Sequence, residues 1–85
     1  MLNLQLPNLN NAFAEIIEAL KAEYGTADLA LLPHDQKYEV MHDFVRFGGH
    51  NLRNSINRMS TVLGVSYPTA FKMANASYSR LASGV

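Results

Sequence analysis

The fold is decided by a stretch near the C-terminal end, residues 59–69, which read MSTVLGVSYPT. Its pattern predicts a helix, a sharp turn and a second helix. Gly64 stands at the turn, because a left-handed backbone conformation there favours glycine. Ser60, one helical turn earlier, is small enough to let the two helices cross closely. Ser66 is placed to cap the second helix by accepting a hydrogen bond from the amide of Thr69.

Apolar side chains are expected to fill the angle between these two helices. They are Met59, Leu63, Val65 and Met73. With this pattern, residues 56–75 resemble the helix-turn-helix of DNA-binding domains, in which a small residue precedes the signature Leu-Gly-Val-Ser-x-x-Thr. The resemblance departs at Ala70, where the superfamily usually has valine or isoleucine. This change weakens the packing between the helices unless Phe71 or Tyr67 fills the space.

The resemblance implies a protein that binds duplex DNA by placing the second helix in the major groove. The residues expected to contact the bases, with Ser66 at the start of the helix, are Tyr67, Thr69, Lys72 and Asn75. Asparagine can form two hydrogen bonds with adenine, threonine can touch a thymine methyl group, and lysine can bind guanine or phosphate. Phosphate contacts are expected from Arg53, Arg58 and Arg80. A helical corner without a ligand is the alternative.

Charge is divided unevenly along the chain, although the formal net charge is zero. Residues 1–43 hold all seven acids and two lysines, which gives −5. Residues 44–85 hold five cations and no acid, which gives +5. Because phosphate contacts are made mostly by lysine and arginine, this division supports a polyanion-binding C-terminal half. Chance clustering in a short chain is the alternative.

Apolar residues spaced three and four positions apart predict amphipathic helices along most of the chain. The predicted elements are a helix over 11–24 ended by Gly25, one or two turns within 27–32, a helix over 35–47 ended by Gly48-Gly49, a third helix capped by Asn51, and a last helix capped by Ser66 that runs towards Leu81. The sequence therefore predicts one mainly α domain of four or five helices. Residues 10–47 form its acidic helical part and residues 51–82 its basic helix-turn-helix part.

The N-terminal residues 1–6 alternate leucine with polar side chains before Pro7, a period typical of a short β-strand. A lone strand needs a partner, which a second copy of the chain supplies across a two-fold axis. A frayed arm over residues 1–7 is the alternative. A small domain without cysteine often depends on oligomerisation, so we expect a homodimer.

The sequence offers little for catalysis or metal binding. It has no cysteine, which excludes disulfides and thiolate zinc sites. His34, His42 and His50 recur every eight residues, a spacing that does not align them on a helix, so we expect solvent-facing histidines and no metal. No nucleophile, phosphate-loop or dinucleotide motif is present. We therefore expect neither an enzyme nor a cofactor.

We also expect no signal peptide, no membrane segment and a cytoplasmic location. The expected function is that of a small transcriptional regulator, for example a repressor, which binds DNA sequence-specifically as a homodimer. The alternative is a phage- or plasmid-type inhibitor or adaptor that docks a helix on a partner protein. Its docking surface would be the apolar stripe of the acidic first helix, formed by Phe13, Ile16, Ile17 and Leu20. The same stripe can instead serve as a core or a dimer seam.

Overall fold

A computed structural model describes residues 9–83 and shows a helical protein. The helices are α1 (Leu9–Tyr24), α2 (His34–Arg46), α3 (Ser55–Leu63) and α4 (Tyr67–Ala82). Short 3-10 turns at Leu29–Leu31 and Gly49–Asn51 precede α2 and α3. No strand occurs in this range, and the mainly α prediction is confirmed. The strand predicted for residues 1–6 lies outside the described residues. No helix in the described range is both long and apolar enough to cross a membrane.

The predicted start of the third helix at Asn51 is wrong. Asn51 ends a 3-10 turn, Leu52 is extended, and α3 begins only after Asn54, whose φ is 56°. Leu52 leaves the helical conformation and packs against the core. Gly49, which begins that 3-10 turn, lies against the ring of Phe44, where a Cβ atom would find no room. This loop therefore shortens α3 to two and a half turns.

One apolar core joins all four helices. Helix α2 packs against both α1 and α4, while α3 packs against α4 and the first 3-10 turn. The buried apolar residues are Phe13, Ile17, Leu20, Leu29, Val40, Met41, Phe44, Val45, Met59, Leu63, Ala70, Met73 and Ala74. The apolar stripe of α1 thus serves the intramolecular core, since three of its four predicted members are buried there.

The corner between α3 and α4 has the backbone predicted for it. Gly64 adopts the left-handed conformation with φ 67°, and the Val65 amide donates to the carbonyl of Ser60 at 3.0 Å. Ser66 is extended, and its hydroxyl accepts a hydrogen bond from the Thr69 amide at 3.3 Å. The end of α3 and the start of α4 are therefore both capped within four residues.

Close packing adds a second reason for glycine at the corner. A Cβ atom at Gly64 would lie 3.0 Å from the Cβ of Ala30 in the first 3-10 turn. Gly25 provides a comparison, because its φ of 64° is nearly the same but nothing lies within 4 Å of its Cβ position. The two glycines therefore differ in steric contact while sharing the same backbone requirement.

We predict that Gly25→Ala lowers the free energy of unfolding by about 1–2 kcal/mol, the cost of a left-handed alanine. Gly64→Ala should lose about 1 kcal/mol more, because the added methyl group also crowds Ala30. Urea denaturation at one protein concentration measures both losses. In the Ala30→Gly background, Gly64→Ala should lose only about as much as Gly25→Ala does, because the crowding is absent. Equal losses at the two glycines would show that Ala30 gives way without cost.

A hydrogen bond joins the end of α1 to the last turns of α2. The Tyr24 hydroxyl donates to Oδ2 of Asp43 at 2.7 Å. Burial, then this hydrogen bond and the nearby carboxylate charges, raise the pKa of the Tyr24 hydroxyl above its usual range. The folded protein therefore keeps this hydroxyl protonated at a pH where the unfolded chain would ionise it.

The sign of this shift predicts alkaline destabilisation. The contribution of Tyr24 is complete below the ordinary tyrosine pKa of about 10 and is lost as the pH rises above it. The free energy of unfolding is measured at one pH below and one pH above this value. Between the two, it should decrease less for Tyr24→Phe than for the unaltered protein, because the variant has no hydroxyl to ionise at this position. Tyr67→Phe, a change on an exposed side chain, is the control and should fall like the unaltered protein. Parallel curves for all three proteins would contradict this role of Tyr24.

Candidate nucleic-acid interface

One side of α4 remains exposed after the helix has packed on α2 and α3. Its buried side consists of Ala70, Met73, Ala74 and Ser77. Beside the buried side, Tyr67, Phe71 and Asn75 recur every four residues and are exposed, which places them along one ridge that turns away from the core towards Asn75. We call these three residues the α4 ridge. Its exposure follows from the corner at Gly64, which directs the other side of α4 into the core.

Two aromatic rings form the N-terminal part of the α4 ridge. Tyr67 is 51% exposed and Phe71 is 48% exposed. Their ring centroids lie 6.3 Å apart with an angle of 17° between the planes, so the two rings stack on each other. Both rings are too exposed to belong to the buried core, where the sequence pattern suggested them as possible replacements for a larger residue at position 70. Ala70 is instead fully buried together with Met59 and other core residues.

Phe71 is exposed on α4, but the sequence pattern did not predict it as an interface residue. The pattern indicated only that its ring could fill space in the core. The signal was present, because Phe71 lies four residues after Tyr67 and four before Asn75. Such spacing puts all three on one side of a helix.

Two of the predicted cations are exposed and make no ion pair among the described residues. Lys72 follows Phe71 on α4, about 100° around the helix axis, and Arg53 lies in the loop before α3. Helix α4 contains Lys72 and Arg80 and no acid. Both Lys72 and Arg53 are therefore available to an anionic ligand.

The hydroxyls of Ser66 and Thr69 are engaged with the start of α4. Ser66 accepts from the Thr69 amide and donates to the Thr69 hydroxyl, with 3.0 Å between the two hydroxyl oxygens. Thr69 is half-buried and lies about 160° around the helix from Phe71. The structure therefore does not bring Thr69 onto the α4 ridge, and Ser66 acts on the helix end itself.

The other two predicted phosphate contacts have partners within the protein. The guanidinium carbon of Arg58 lies 4.0 Å from the ring centroid of Phe13, a cation–π contact with α1. Nη1 of Arg80 lies 3.1 Å from Oε2 of Glu39 on α2. Both side chains of that ion pair are about half exposed, so the pair contributes little to stability. Arg80 is therefore the easier of the two arginines to transfer to a phosphate.

The charge division along the chain is not a division between separate surfaces. Helix α2 carries acids and packs directly against the acid-free α4. Arg80 faces Glu39, and Arg46 contacts Asp43 with Nη1 and Oδ1 3.4 Å apart. The positive surface is consequently smaller than the sequence suggested. It centres on Lys72 and Arg53, which have no such acidic partner among the described residues.

The expectation that all three histidines face solvent is wrong for His42. Its side chain is only 7% exposed, and its Nδ1 lies 2.9 Å from the Ser77 hydroxyl oxygen. The reason is that α2 packs on α4 at this point. His50 is half-buried against Tyr78, and His34 is exposed. Among the described residues, no three potential metal ligands of the histidine or carboxylate kind come together.

Comparison with known proteins adds no relative. No protein-family model matches the chain, and no curated protein or solved structure matches it either.

Proposed function

We propose that this protein binds duplex DNA sequence-specifically and acts in the cytoplasm as a small transcriptional regulator. The observation that carries the proposal is the α4 ridge, which stands exposed beside Lys72 on a helix without acids. An exposed helix of this kind fits the width of the major groove. The capped corner at Gly64 supports it, because a helix that contacts base edges must be held rigidly by the helix before it.

The residues of the interface take different roles in this proposal. Asn75 can form paired hydrogen bonds with adenine, and Lys72 can bind guanine or a phosphate. Arg53 contacts phosphate, and Arg80 joins it by exchanging Glu39 for the DNA backbone. Arg58 is the weakest candidate, because its guanidinium would have to leave Phe13.

The supporting experiment is a duplex binding assay over a range of salt concentrations. Lys72→Ala and Asn75→Ala should each weaken binding to a preferred site by about 1–3 kcal/mol, roughly five- to 150-fold. Lys72→Ala should also make the salt dependence shallower if that lysine contacts phosphate. Lys21→Ala is the matched control, since Lys21 contacts Glu18 on the distant α1, and it should bind normally. Absence of salt-sensitive binding to any duplex would contradict the proposal.

Protein binding is the second candidate, and the aromatic pair favours it. Exposed, closely packed tyrosine and phenylalanine side chains are typical of protein interfaces. In this case the protein would be an inhibitor or adaptor that docks α4, not α1, on its partner. The stripe of α1 is already used in the core. Recovery of one stoichiometric protein partner, lost in Phe71→Ala, together with no DNA binding would favour this function.

We further propose that the protein is a homodimer that pairs through residues 1–6. The motivation is the alternating sequence at that end and the small size of the domain. Sedimentation at micromolar concentration should give the mass of two chains, and removal of residues 1–6 should give a monomer. A monomeric full-length chain would refute the dimer, and a dimer that survives the removal would refute this mode of pairing.

A further inference from the structure

We infer that the α4 ridge reads A·T base pairs, with the rings of Tyr67 and Phe71 against thymine methyl groups and the Asn75 amide on adenine. The inference rests on the proposed duplex binding and adds which bases the ridge selects. It starts from the composition of the ridge, which presents two aromatic rings, that of Tyr67 with a hydroxyl group, followed by one amide.

The rings restrict which bases can face them. The C5 methyl group of thymine is the apolar group that the four bases present in the major groove. A G·C pair presents only hydrogen-bond donors and acceptors there. Phe71 has no polar side-chain atom, so placing its ring over such groups would remove water from them without a replacement partner, which is unfavourable. Thymine is therefore the base that best matches this part of the ridge.

The amide extends the same preference along the groove. Asn75 lies one turn beyond Phe71 and is exposed, and an asparagine amide matches N6 and N7 of adenine. From residue 67 to residue 75 the helix rises about 12 Å. This length corresponds to three or four base pairs at about 3.4 Å each. The rings and the amide can therefore contact neighbouring base pairs of one short A·T-containing site.

The positions of the cations agree with this selectivity. Arginine and lysine are the side chains that most often recognise guanine through two hydrogen bonds. The arginine of α4 is Arg80, which lies in the last turn and contacts Glu39. Lys72 lies beside the ridge and not on it. Guanine recognition by the first turns of α4 therefore depends on a single lysine, whereas three ridge residues suit A·T pairs.

The stacking of the rings favours a duplex over a single strand. Single-stranded DNA binds to aromatic rings by stacking its bases on their faces. In this protein the planes of the Tyr67 and Phe71 rings lie at 17° to each other with their centroids 6.3 Å apart, so a base does not fit between the two rings unless they move apart. Their exposed edges remain suited to contact with methyl groups, which requires no insertion of a base.

Thymine-to-uracil replacement tests the inference, because uracil pairs normally but lacks the methyl group. Duplexes that bind the full-length protein are first selected from random sequences. The recovered duplex is then made with thymine and with uracil, and the Kd of each is measured at one salt concentration. We expect uracil to weaken binding about fourfold for each methyl group contacted, the effect of burying one such group.

Variants identify the side chains responsible for this discrimination. Tyr67→Ala and Phe71→Ala should each bind the thymine and uracil duplexes with more similar affinities than the unaltered protein. Phe47→Ala is the matched control, because Phe47 is an equally exposed aromatic residue at the end of α2. It should discriminate as well as the unaltered protein. Thermal melts establish that each variant is folded.

Two results would overturn the inference while leaving duplex binding in place. One is equal affinity of the unaltered protein for the thymine and uracil duplexes, and the other is a recovered site made only of G·C pairs. Tighter binding to the separated single strand would overturn it in favour of base stacking. Recovery of no duplex with salt-sensitive binding would overturn the proposed function as well.

Discussion

The left-handed backbone at Gly64 is the constraint on which the rest of this structure depends. It ends α3, lets the chain turn within three residues, and sends α4 back across the molecule. The contact with Ala30 fixes the corner against the first 3-10 turn, while the Ser66 cap satisfies the start of α4. Together these interactions determine which side of α4 enters the core and which side remains exposed.

The buried side of α4 then sets its alignment with α2. His42 on α2 contacts Ser77 on α4. Glu39, three residues before His42, contacts Arg80, three residues after Ser77. The two helices therefore run antiparallel past each other. The buried hydrogen bond stabilises this alignment, because either partner alone would be an unsatisfied polar group in the core. One consequence for function is that an acid lies beside the last turn of α4, whereas its first turns carry the exposed aromatic pair and Lys72.

Local sequence signals predicted the elements well. Gly25, Gly64 and Ser66 act within one or two turns of their own positions, so their roles can be read from spacing alone. The start of α3 could not be predicted in this way. Asn51 is a good capping residue, but Leu52 is extended and packs against the core, and the helix begins only after Asn54.

The candidate site was also predictable only in part, because tertiary packing decides which of its side chains are free. Tyr67, Lys72 and Asn75 are exposed on α4 as the helical period requires. Arg58 contacts Phe13 on α1, and Arg80 contacts Glu39 on α2. Each partner is about 40 residues away in sequence and comes close only because the helices pack together. A sum of charges along the chain contains no information about neighbours in space. The sum over residues 44–85 therefore predicted a larger positive surface than the structure has.

The most direct test of the central claim is a map of backbone amide shifts in the isotope-labelled protein during titration with a duplex at low salt. If α4 contacts DNA, the largest changes should fall within residues 66–75 and at Arg53. Glu18 and Lys21, which form an ion pair with each other on α1, should stay near their original positions. Changes centred on α1, or no changes with any duplex, would contradict the assignment of α4 as the DNA-contacting helix.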